Sequence, residues 1–427
     1  MKIAIIGTGV AGNVAAHYLN KEHDITVFEE NDYVGGHTHT HKIDFDGESH
    51  NIDTGFIVFN HKTYPNFIKL LGELGVEYQK SNMSFSVQCE KTGLEYNGTT
   101  LNSLFAQRRN LFRPSFYRMI KDILRFNRES LEILEQPHEK LSLGEYLAAN
   151  NYSEQFIHHY IVPMGAAIWS TDHDSMFAFP ARFFVQFFHN HGMLSVDERP
   201  QWYVIKNGSN EYVKPLIAAH KDKIKLSSPV ESIVRSSNQV LVKAKGQGTE
   251  AFDYVFIASH SDQALAMLEN PTATEREVLS AIPYSDNEAV LHTDERLLPD
   301  KKLAWAAWNY HLLKEKKEQV ALTYNMNILQ SLKSKNTFCV TLNNTDAIDP
   351  SKIIKKMDYM HPFFTLDGVQ AQQRHSEING THRTFYCGAY WRYGFHEDGV
   401  VSALTALQDF NKEINNEQQN ILWSRSA

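Results

Sequence analysis

Three glycines near the start of the chain have the spacing of a nucleotide-binding turn. Gly7, Gly9 and Gly12 form a Gly-x-Gly-x-x-Gly motif, with Val10 and Ala11 inside it. The first glycine of such a motif permits a tight turn, the second lets a diphosphate approach the backbone, and the third lets a helix pack closely on a strand. The phosphate charge then lies at the helix N-terminus, where free N–H groups and the helix dipole stabilise it.

The residues around this motif predict the elements that must position it. Residues 2–6 are rich in isoleucine and end in glycine, which is typical of a short buried strand. Residues 10–19 are a predicted helix, and residues 24–28 a second strand that ends at Glu29. A carboxylate at this position accepts hydrogen bonds from both ribose hydroxyls. The pattern therefore predicts an adenine dinucleotide site; the alternative is a glycine-rich turn in an α/β protein without a nucleotide.

A second glycine pair, just beyond the ribose acid, decides between NAD and FAD. A further backbone approach at this point suits a longer, extended cofactor, and a simple NAD site needs none. A short predicted strand then leads to a Thr-Gly pair that would bring backbone to the flavin end. The sequence therefore favours FAD, and the residues assigned to it in this stretch are Glu30, Gly35, Gly36, His37, Thr38, Thr54 and Gly55.

These motifs resemble the flavin amine oxidase and phytoene desaturase superfamily. Residues 29–36 resemble its ribose acid and glycine doublet, 53–55 its flavin-contacting Asp-x-Gly, and 385–389 and 398–400 the last strand end and the start of the last helix. The resemblance implies that the Gly399 and Val400 amides face the flavin pyrimidine carbonyl, where a helix N-terminus stabilises negative charge. The further cofactor residues that it implies are Val230 beside the adenine, Ala258 at the strand passing the diphosphate, Gly388 and Asp398.

The chain departs from this superfamily at two positions. The arginine that follows the glycine pair is replaced by His37, which removes a fixed charge near the phosphates. The lysine that amine oxidases hold near flavin N5 has no counterpart that we can place. The second departure disfavours simple amine oxidation.

A closer resemblance points to lipids. Residues 390–399, 305–310 and 190–194 resemble a bacterial flavoprotein subgroup that is similar to the oxidase-like part of plant cyclopropane fatty acyl synthases. Bacterial members of that subgroup accompany methyltransferases of the cyclopropane-fatty-acid-synthase type. The resemblance implies unsaturated or methylated fatty acyl chains as the substrate class, and a lipid methyltransferase as a partner.

Aromatic residues before the predicted last helix are expected to line the substrate side of the flavin. Such a lining excludes water and orients a substrate C–H bond toward the hydride acceptor. His396 and Glu397 are the nearest acid or base groups, although they equally suit a role in shaping the loop. The predicted catalytic residues are His396, Glu397 and Tyr390, and the predicted substrate residues are Trp308, Tyr310, Trp391 and Tyr393.

Composition restricts the function classes. A net charge of −8 on 427 residues disfavours nucleic acid as a partner. The three cysteines include no Cys-x-x-Cys pair, which favours a reducing, cytoplasmic setting. We expect neither a signal peptide nor a transmembrane segment, and contact with a membrane surface stays open. Residues 37, 39 and 41 are alternating histidines, but no carboxylate or cysteine is near them, so no metal site is predicted.

The predicted fold is α/β, with one of its strands over residues 251–258 and a last helix over residues 400–414. A discontinuous Rossmann-type FAD domain is assigned to residues 1–60, 205–285 and 375–427, and a substrate domain of mixed sheet and helices to 61–204 and 286–374. The predicted reaction is hydride abstraction from an apolar substrate, by which a fatty acyl chain is desaturated or oxidised. Two alternatives remain at this point: a flavin-dependent double-bond isomerase, and a non-catalytic flavoprotein partner of a lipid methyltransferase.

Overall fold

The computed structural model describes residues 1–135, 140–195, 197, 199–315 and 319–425. The strands are β1 (Lys2–Ile6), β2 (Asp24–Phe28), β3 (Thr40–Phe45), β4 (Glu48–Asp53), β5 (Val58–Asn60), β6 (Tyr78–Ser81), β7 (Phe85–Cys89), β8 (Leu94–Asn97), β9 (Trp202–Ile205), β10 (Ile224–Lys225), β11 (Val230–Arg235), β12 (Val240–Ala244), β13 (Thr249–Phe252), β14 (Tyr254–Ile257), β15 (Tyr284–His292), β16 (Trp308–Leu312), β17 (Leu322–Asn325), β18 (Cys339–Leu342), β19 (Ile353–Pro362) and β20 (Thr384–Tyr386). The helices are α1 (Val10–Leu19), α2 (Pro65–Glu73), α3 (Leu101–Leu104), α4 (Pro114–Glu129), α5 (Leu143–Ala149), α6 (Glu154–Phe156), α7 (Val162–Trp169), α8 (Ser175–Ala178), α9 (Ala181–Asn190), α10 (Asn210–Ile217), α11 (Ser261–Met267), α12 (Ala273–Ser280), α13 (Met326–Leu329), α14 (Leu366–Gln372), α15 (His375–Ile378) and α16 (His396–Arg425).

A parallel five-stranded sheet in the order β10-β2-β1-β14-β20 forms the centre of the first unit. Alternate residues of β1 point to opposite faces, so Ile3 and Ile5 pack with α1, α10 and α16, whereas Ala4 and Ile6 pack toward the antiparallel sheet β11-β12-β13. This layering confirms the predicted α/β class. All five strands come from the segments assigned to the FAD domain, although the domain boundaries themselves stay a prediction.

A mixed seven-stranded sheet in the order β19-β15-β18-β17-β16-β7-β8 forms the second unit. It packs with helices α4 to α9 around a large aromatic core, in which Phe179, Phe184 and Phe188 are fully buried. The phenylalanine cluster that begins at Phe177 is therefore mostly core. Among the described residues no helix combines the length and the apolar character needed to cross a bilayer.

Three local expectations need correction. The single strand expected over 251–258 is two strands in different sheets, because the Asp253 carboxylate and N–H bond the backbone of Lys2 and turn the chain there. The last helix begins at residue 396 and not at 400, since the Asp398 carboxylate accepts the Phe395 N–H at 2.9 Å and caps an earlier turn. The hairpin β3–β4 was not expected, although its turn residues Asp46 and Gly47, at φ 49° and 79°, are typical of a type I′ hairpin.

Candidate cofactor and substrate site

A cavity of about 830 Å³ joins the glycine turn after β1 to the loop that precedes α16. Residues from both ends of the chain line it, among them Gly7, Gly9, Gly388 and His396. The first and last helices meet behind this lining, since a Cβ on Gly399 would lie 2.5 Å from Cγ1 of Val10. The two helix N-termini that the sequence assigned to one ligand therefore converge on one cavity.

The glycine turn is closed on its protein side and open on its cavity side. Gly7 has φ +97°, and a Cβ there would lie 3.0 Å from the Ala258 carbonyl oxygen. A Cβ on Gly12 would lie 2.0 Å from the Gly7 carbonyl oxygen, whereas one on Gly9 would have no heavy atom within 4 Å. The space beside Gly9 is therefore free of protein atoms and open to a ligand. Backbone N–H groups at a helix N-terminus are suited to binding a diphosphate. The turn fits the FAD diphosphate.

Two other segments complete this backbone cradle. Gly36 lies against Gly9, since a Cβ on Gly36 would lie 3.1 Å from the Gly9 Cα. Gly55 lies against His37, since a Cβ on Gly55 would lie 2.2 Å from the His37 carbonyl oxygen. Asp53 fixes the second segment, because its carboxylate accepts the Ser209 N–H at 2.9 Å and the Gln330 side-chain N–H at 2.8 Å. A side chain is excluded at Gly55 by the His37 carbonyl, and at Gly36 it would be strained by the φ of +57° and by the nearby Gly9 backbone.

The ribose acid is held rigidly. Glu29 is buried, and its carboxylate accepts the backbone N–H groups of Thr8 (2.8 Å) and Asn31 (2.9 Å). The Thr8 hydroxyl (2.5 Å) and the Asn31 amide (2.8 Å) add two further bonds. These four donors fill the carboxylate's acceptor positions. The hydroxyls of a ribose bound here would replace the Thr8 and Asn31 side chains as hydrogen-bond donors to the carboxylate. The two backbone N–H groups would continue to hold the carboxylate in place.

The predicted cofactor residues divide between the cavity surface and the layer behind it. Those on the surface are Gly7, Gly9, Val10, Ala11, Glu29, Glu30, Gly36, His37, Thr54, Gly55, Val230, Ala258 and Gly388. Those outside the lining are Gly12, Gly35, Thr38, Asp398, Gly399 and Val400. The second group shapes the backbone or supports lining side chains.

His396 lines the cavity as a firmly held imidazole. Its Nε2 lies 2.9 Å from the Tyr212 hydroxyl and 3.0 Å from the Thr38 hydroxyl, and its ring stacks on Phe56 at 3.5 Å. Burial, with a contribution from His37, holds the pKa of His396 well below its usual range. Burial also raises the pKa of Tyr212, which therefore stays a hydroxyl donor. The ring is therefore neutral at neutral pH.

Glu397 lies outside the cavity lining. Its carboxylate accepts the Asn66 N–H (3.1 Å), the Asn66 side-chain N–H (2.7 Å) and the Phe67 N–H (2.9 Å) in the first turn of α2. A carboxylate at a helix N-terminus satisfies free donors and complements the helix dipole. The structure thus gives Glu397 a capping position that joins α16 to α2, and we do not assign it a catalytic role. Tyr390 does line the cavity, and burial raises the pKa of its hydroxyl well above the usual value.

The four predicted substrate residues separate in the same way. Trp308 and Tyr393 line the cavity, whereas Tyr310 and Trp391 do not. Tyr310 lies in the aromatic core, and Trp391 stacks on His375 with ring centroids 3.9 Å apart. The sequence pattern could not distinguish lining residues from core residues, because Tyr310 and Trp391 are buried in part by residues that are not their sequence neighbours.

One part of the cavity has an apolar lining, and the sequence did not predict that residues of α7 contribute to it. Met164 and Ile168 lie four residues apart on α7, a helical spacing that puts both on one face. Phe187 packs between Trp169 and Phe395, with ring centroids 4.9 and 5.2 Å apart. We define the apolar arm by the lining residues Met164, Ile168, Trp169, Phe187, Tyr393 and Phe395. Among the described lining residues Arg199 is the one Lys or Arg side chain.

Comparisons with known proteins agree with this architecture. Residues 10–321 match the family of flavin containing amine oxidoreductases. Over 76 residues the chain is 37% identical to a flavin-dependent L-tryptophan oxidase of Lentzea aerocolonigenes, a match that spans 18% of this chain and 16% of that protein.

Two solved structures show the same fold over almost the whole chain. Cyclohexylamine oxidase from Brevibacterium oxydans IH-35A aligns at a TM-score of 0.69 and 14% identity, covering 97% of this chain and 99% of that one. A CLA-producing fatty acid isomerase from P. acnes aligns at 0.67 and 16%, covering 95% and 98%. The predicted superfamily is confirmed, while the link to cyclopropane fatty acyl synthases stays a prediction. Because the family match covers most of the chain and the glycine cradle fits FAD, the chain belongs to the flavin-containing amine oxidoreductases, a family of FAD-dependent oxidoreductases.

Proposed function

We propose that the protein takes a hydride from a carbon of an unsaturated or methylated fatty acyl chain, which is thereby desaturated or oxidised. The apolar arm carries this proposal, because it belongs to the same cavity as the cofactor cradle. FAD, when bound, supplies the hydride acceptor.

The apolar arm can bind an acyl chain by burial alone. Each methylene removed from water contributes about 0.8 kcal/mol. The aromatic side chains that pack on Phe187 lead from the arm to the first residue of α16, since Phe395 directly precedes His396. They keep water away from the reacting carbon.

The one guanidinium group of the described lining, that of Arg199, also suits the anionic head of a lipid. Arg199 lies within electrostatic range of Tyr160, another lining residue, and lowers the pKa that burial raises there. A guanidinium binds a carboxylate or phosphate by paired hydrogen bonds. We therefore propose that Arg199 takes the anionic head of the lipid while the chain enters the arm.

His396 is the group that we propose to act on a proton. Its neutral ring lines the cavity, and Tyr212 and Thr38 hold its Nε2 in place. The proton that leaves the adjacent substrate carbon passes to water, or to Nδ1 of this ring in the tautomer whose Nε2–H donates to Tyr212 or Thr38. A double-bond isomerase, in which the hydride returns to the chain, is the second candidate, because a fatty acid isomerase shares the fold.

Anaerobic titration of the FAD-loaded protein with unsaturated fatty acids and phospholipids tests the proposal. We expect the visible flavin absorbance to bleach in proportion to the desaturated or oxidised product. A changed double-bond position without bleaching or oxygen consumption would establish the isomerase instead. If simple amines bleach the flavin and no lipid changes, the acyl proposal is wrong.

A further inference from the structure

The part of the cavity next to the glycine turn is short of positive charge. Its lining includes the carboxylates of Glu29, Glu30, Glu231 and Asp358. The one Lys or Arg among the described lining residues, Arg199, lies near Ser195 and Tyr160 on the other side of the site. A diphosphate brings two negative charges to the turn. Backbone N–H groups offset part of that charge, but the described lining has no Lys or Arg beside the glycine turn to offset the rest.

Three imidazoles lie beside the turn and can supply the missing charge. His37 directly follows Gly36, which touches Gly9, and His260 follows Ala258, which touches Gly7, by two residues. His361, at the end of β19, has its ring centroid 5.3 Å from that of His37, and the His37–His260 distance is 6.4 Å. All three residues belong to the cavity lining. We call His37, His260 and His361 the imidazole cluster.

The ring nitrogens of the imidazole cluster have only part of their possible hydrogen bonds within the protein. His361 accepts the Asn287 side-chain N–H on Nδ1 at 3.2 Å, so in its neutral form it carries its proton on Nε2. Among the described residues, Nε2 of His37 and Nδ1 of His260 have no hydrogen-bond partner. Buried polar atoms without partners are costly, and in native sites they are commonly completed by a ligand or water.

Without a ligand the imidazole cluster is neutral. Burial lowers the pKa of His37 and of His260 to about 4 and that of His361 to about 3, and the positive form of each neighbour opposes protonation further. An opposite charge at 4 to 6 Å moves such a pKa by roughly one to three pH units. A phosphate charge at such a distance therefore raises the pKa of His37 or His260 from about 4 to between about 5 and about 7.

The other titratable groups around the cluster do not provide this charge. Tyr359 packs on His37 and Tyr284 stacks on His260, and burial raises the pKa of both hydroxyls. His39 and His41 are themselves held low, at about 4 and about 3, by burial and by nearby Lys355. His396 faces His37 with a pKa well below its usual range, and burial raises the pKa of Glu30.

We propose that the imidazole cluster binds the diphosphate of FAD and that at least one of its rings takes up a proton from solvent when FAD binds. Because the bound state holds more protons than the free state, affinity must fall as pH rises between the free and the bound pKa. With one proton taken up by a ring whose free pKa is about 4, the Kd of FAD weakens by up to about tenfold per pH unit from about pH 4 to at most about pH 7 and then levels off.

Calorimetric titration of the full chain, stripped of cofactor, with FAD in two buffers of different ionisation enthalpy counts the protons. We expect proton uptake on FAD binding between about pH 4 and about pH 7, approaching one proton per FAD near the middle of that range and no more than about half a proton at pH 7, and none with riboflavin, which has no phosphate. Release of FAD from the loaded protein, followed by its fluorescence, should slow by the same factor as pH falls. No uptake together with a pH-independent Kd would overturn the proposal.

Three variants separate the cluster from a general effect of removing histidine. His37→Gln should reduce proton uptake and flatten the pH profile, whereas His37→Arg should retain tight binding with no uptake. His220→Gln is the matched control, because His220 is buried, has a pKa held at about 4 and lies outside the cavity lining. If His220→Gln abolishes the uptake while His37→Gln leaves it intact, the assignment to the cluster is wrong.

Discussion

A valine at position 9 is expected to give a protein that folds like the wild type and contains no FAD. Gly9 has φ −61° and ψ 178°, a conformation that valine adopts without strain. A Cβ there meets no protein atom within 4 Å, but Gly9 lines the cavity where the diphosphate must approach the backbone. The added side chain therefore occupies ligand space only. We expect at least about a hundredfold loss of FAD affinity, or about 3 kcal/mol.

The ratio of flavin absorbance to protein, together with a thermal melt, measures this result. Gly98→Val is the matched control, because Gly98 also has open space around it and lies outside the cavity lining. Gly12 is unsuitable for this purpose, since any side chain there would displace the Gly7 carbonyl and disturb the fold itself. A Gly9→Val protein that retains a full complement of FAD would contradict the placement of the diphosphate.

An aspartate at position 168 is expected to remove activity on acyl chains while FAD stays bound. Ile168 is partly exposed to the cavity in the apolar arm and belongs to α7, away from the glycine turn. A carboxylate there holds water and must lose it when a chain enters, at a cost of several kcal/mol. We expect the rate of flavin bleaching by a long-chain unsaturated lipid to fall at least about a hundredfold.

The comparison uses two controls. Ile168→Leu keeps the arm apolar and should change the rate little. Leu124→Asp introduces the same charge at an exposed position of α4 outside the lining, and should change neither rate nor FAD content. If Ile168→Asp bleaches as fast as the wild type, the substrate chain does not lie against α7 and the proposed use of the arm is wrong.

Local backbone chemistry explains why the cofactor half was predictable. The roles of Gly7, Gly12 and Glu29 depend on neighbours within one strand-turn-helix-strand unit, so their spacing alone predicts the cradle. The position of Glu397 depends instead on Asn66 and Phe67, some 330 residues earlier in the chain. No pattern around Glu397 could show that its carboxylate caps another helix.

The imidazole cluster could not be predicted from the sequence for the same reason. His37 and His260 follow β2 and β14, which belong to the same parallel sheet, whereas His361 lies near the end of β19 in the seven-stranded sheet. Only the folded chain brings their rings together. Alternating histidines at 37, 39 and 41 mark this segment in the sequence, but their spacing does not show that His260 and His361 lie beside His37. Sequence spacing identified an unusual segment but not the partners that give it a function.

A crystal structure of the protein in complex with FAD would show whether the glycine turn and the loop before α16 bind the same ligand. We predict that the diphosphate lies against the backbone of the Gly7–Gly12 turn and that the isoalloxazine ring reaches the loop before α16, beside Gly388 and His396. If FAD binds with its ring remote from that loop, or with its diphosphate away from Gly9, the proposed cofactor site is wrong.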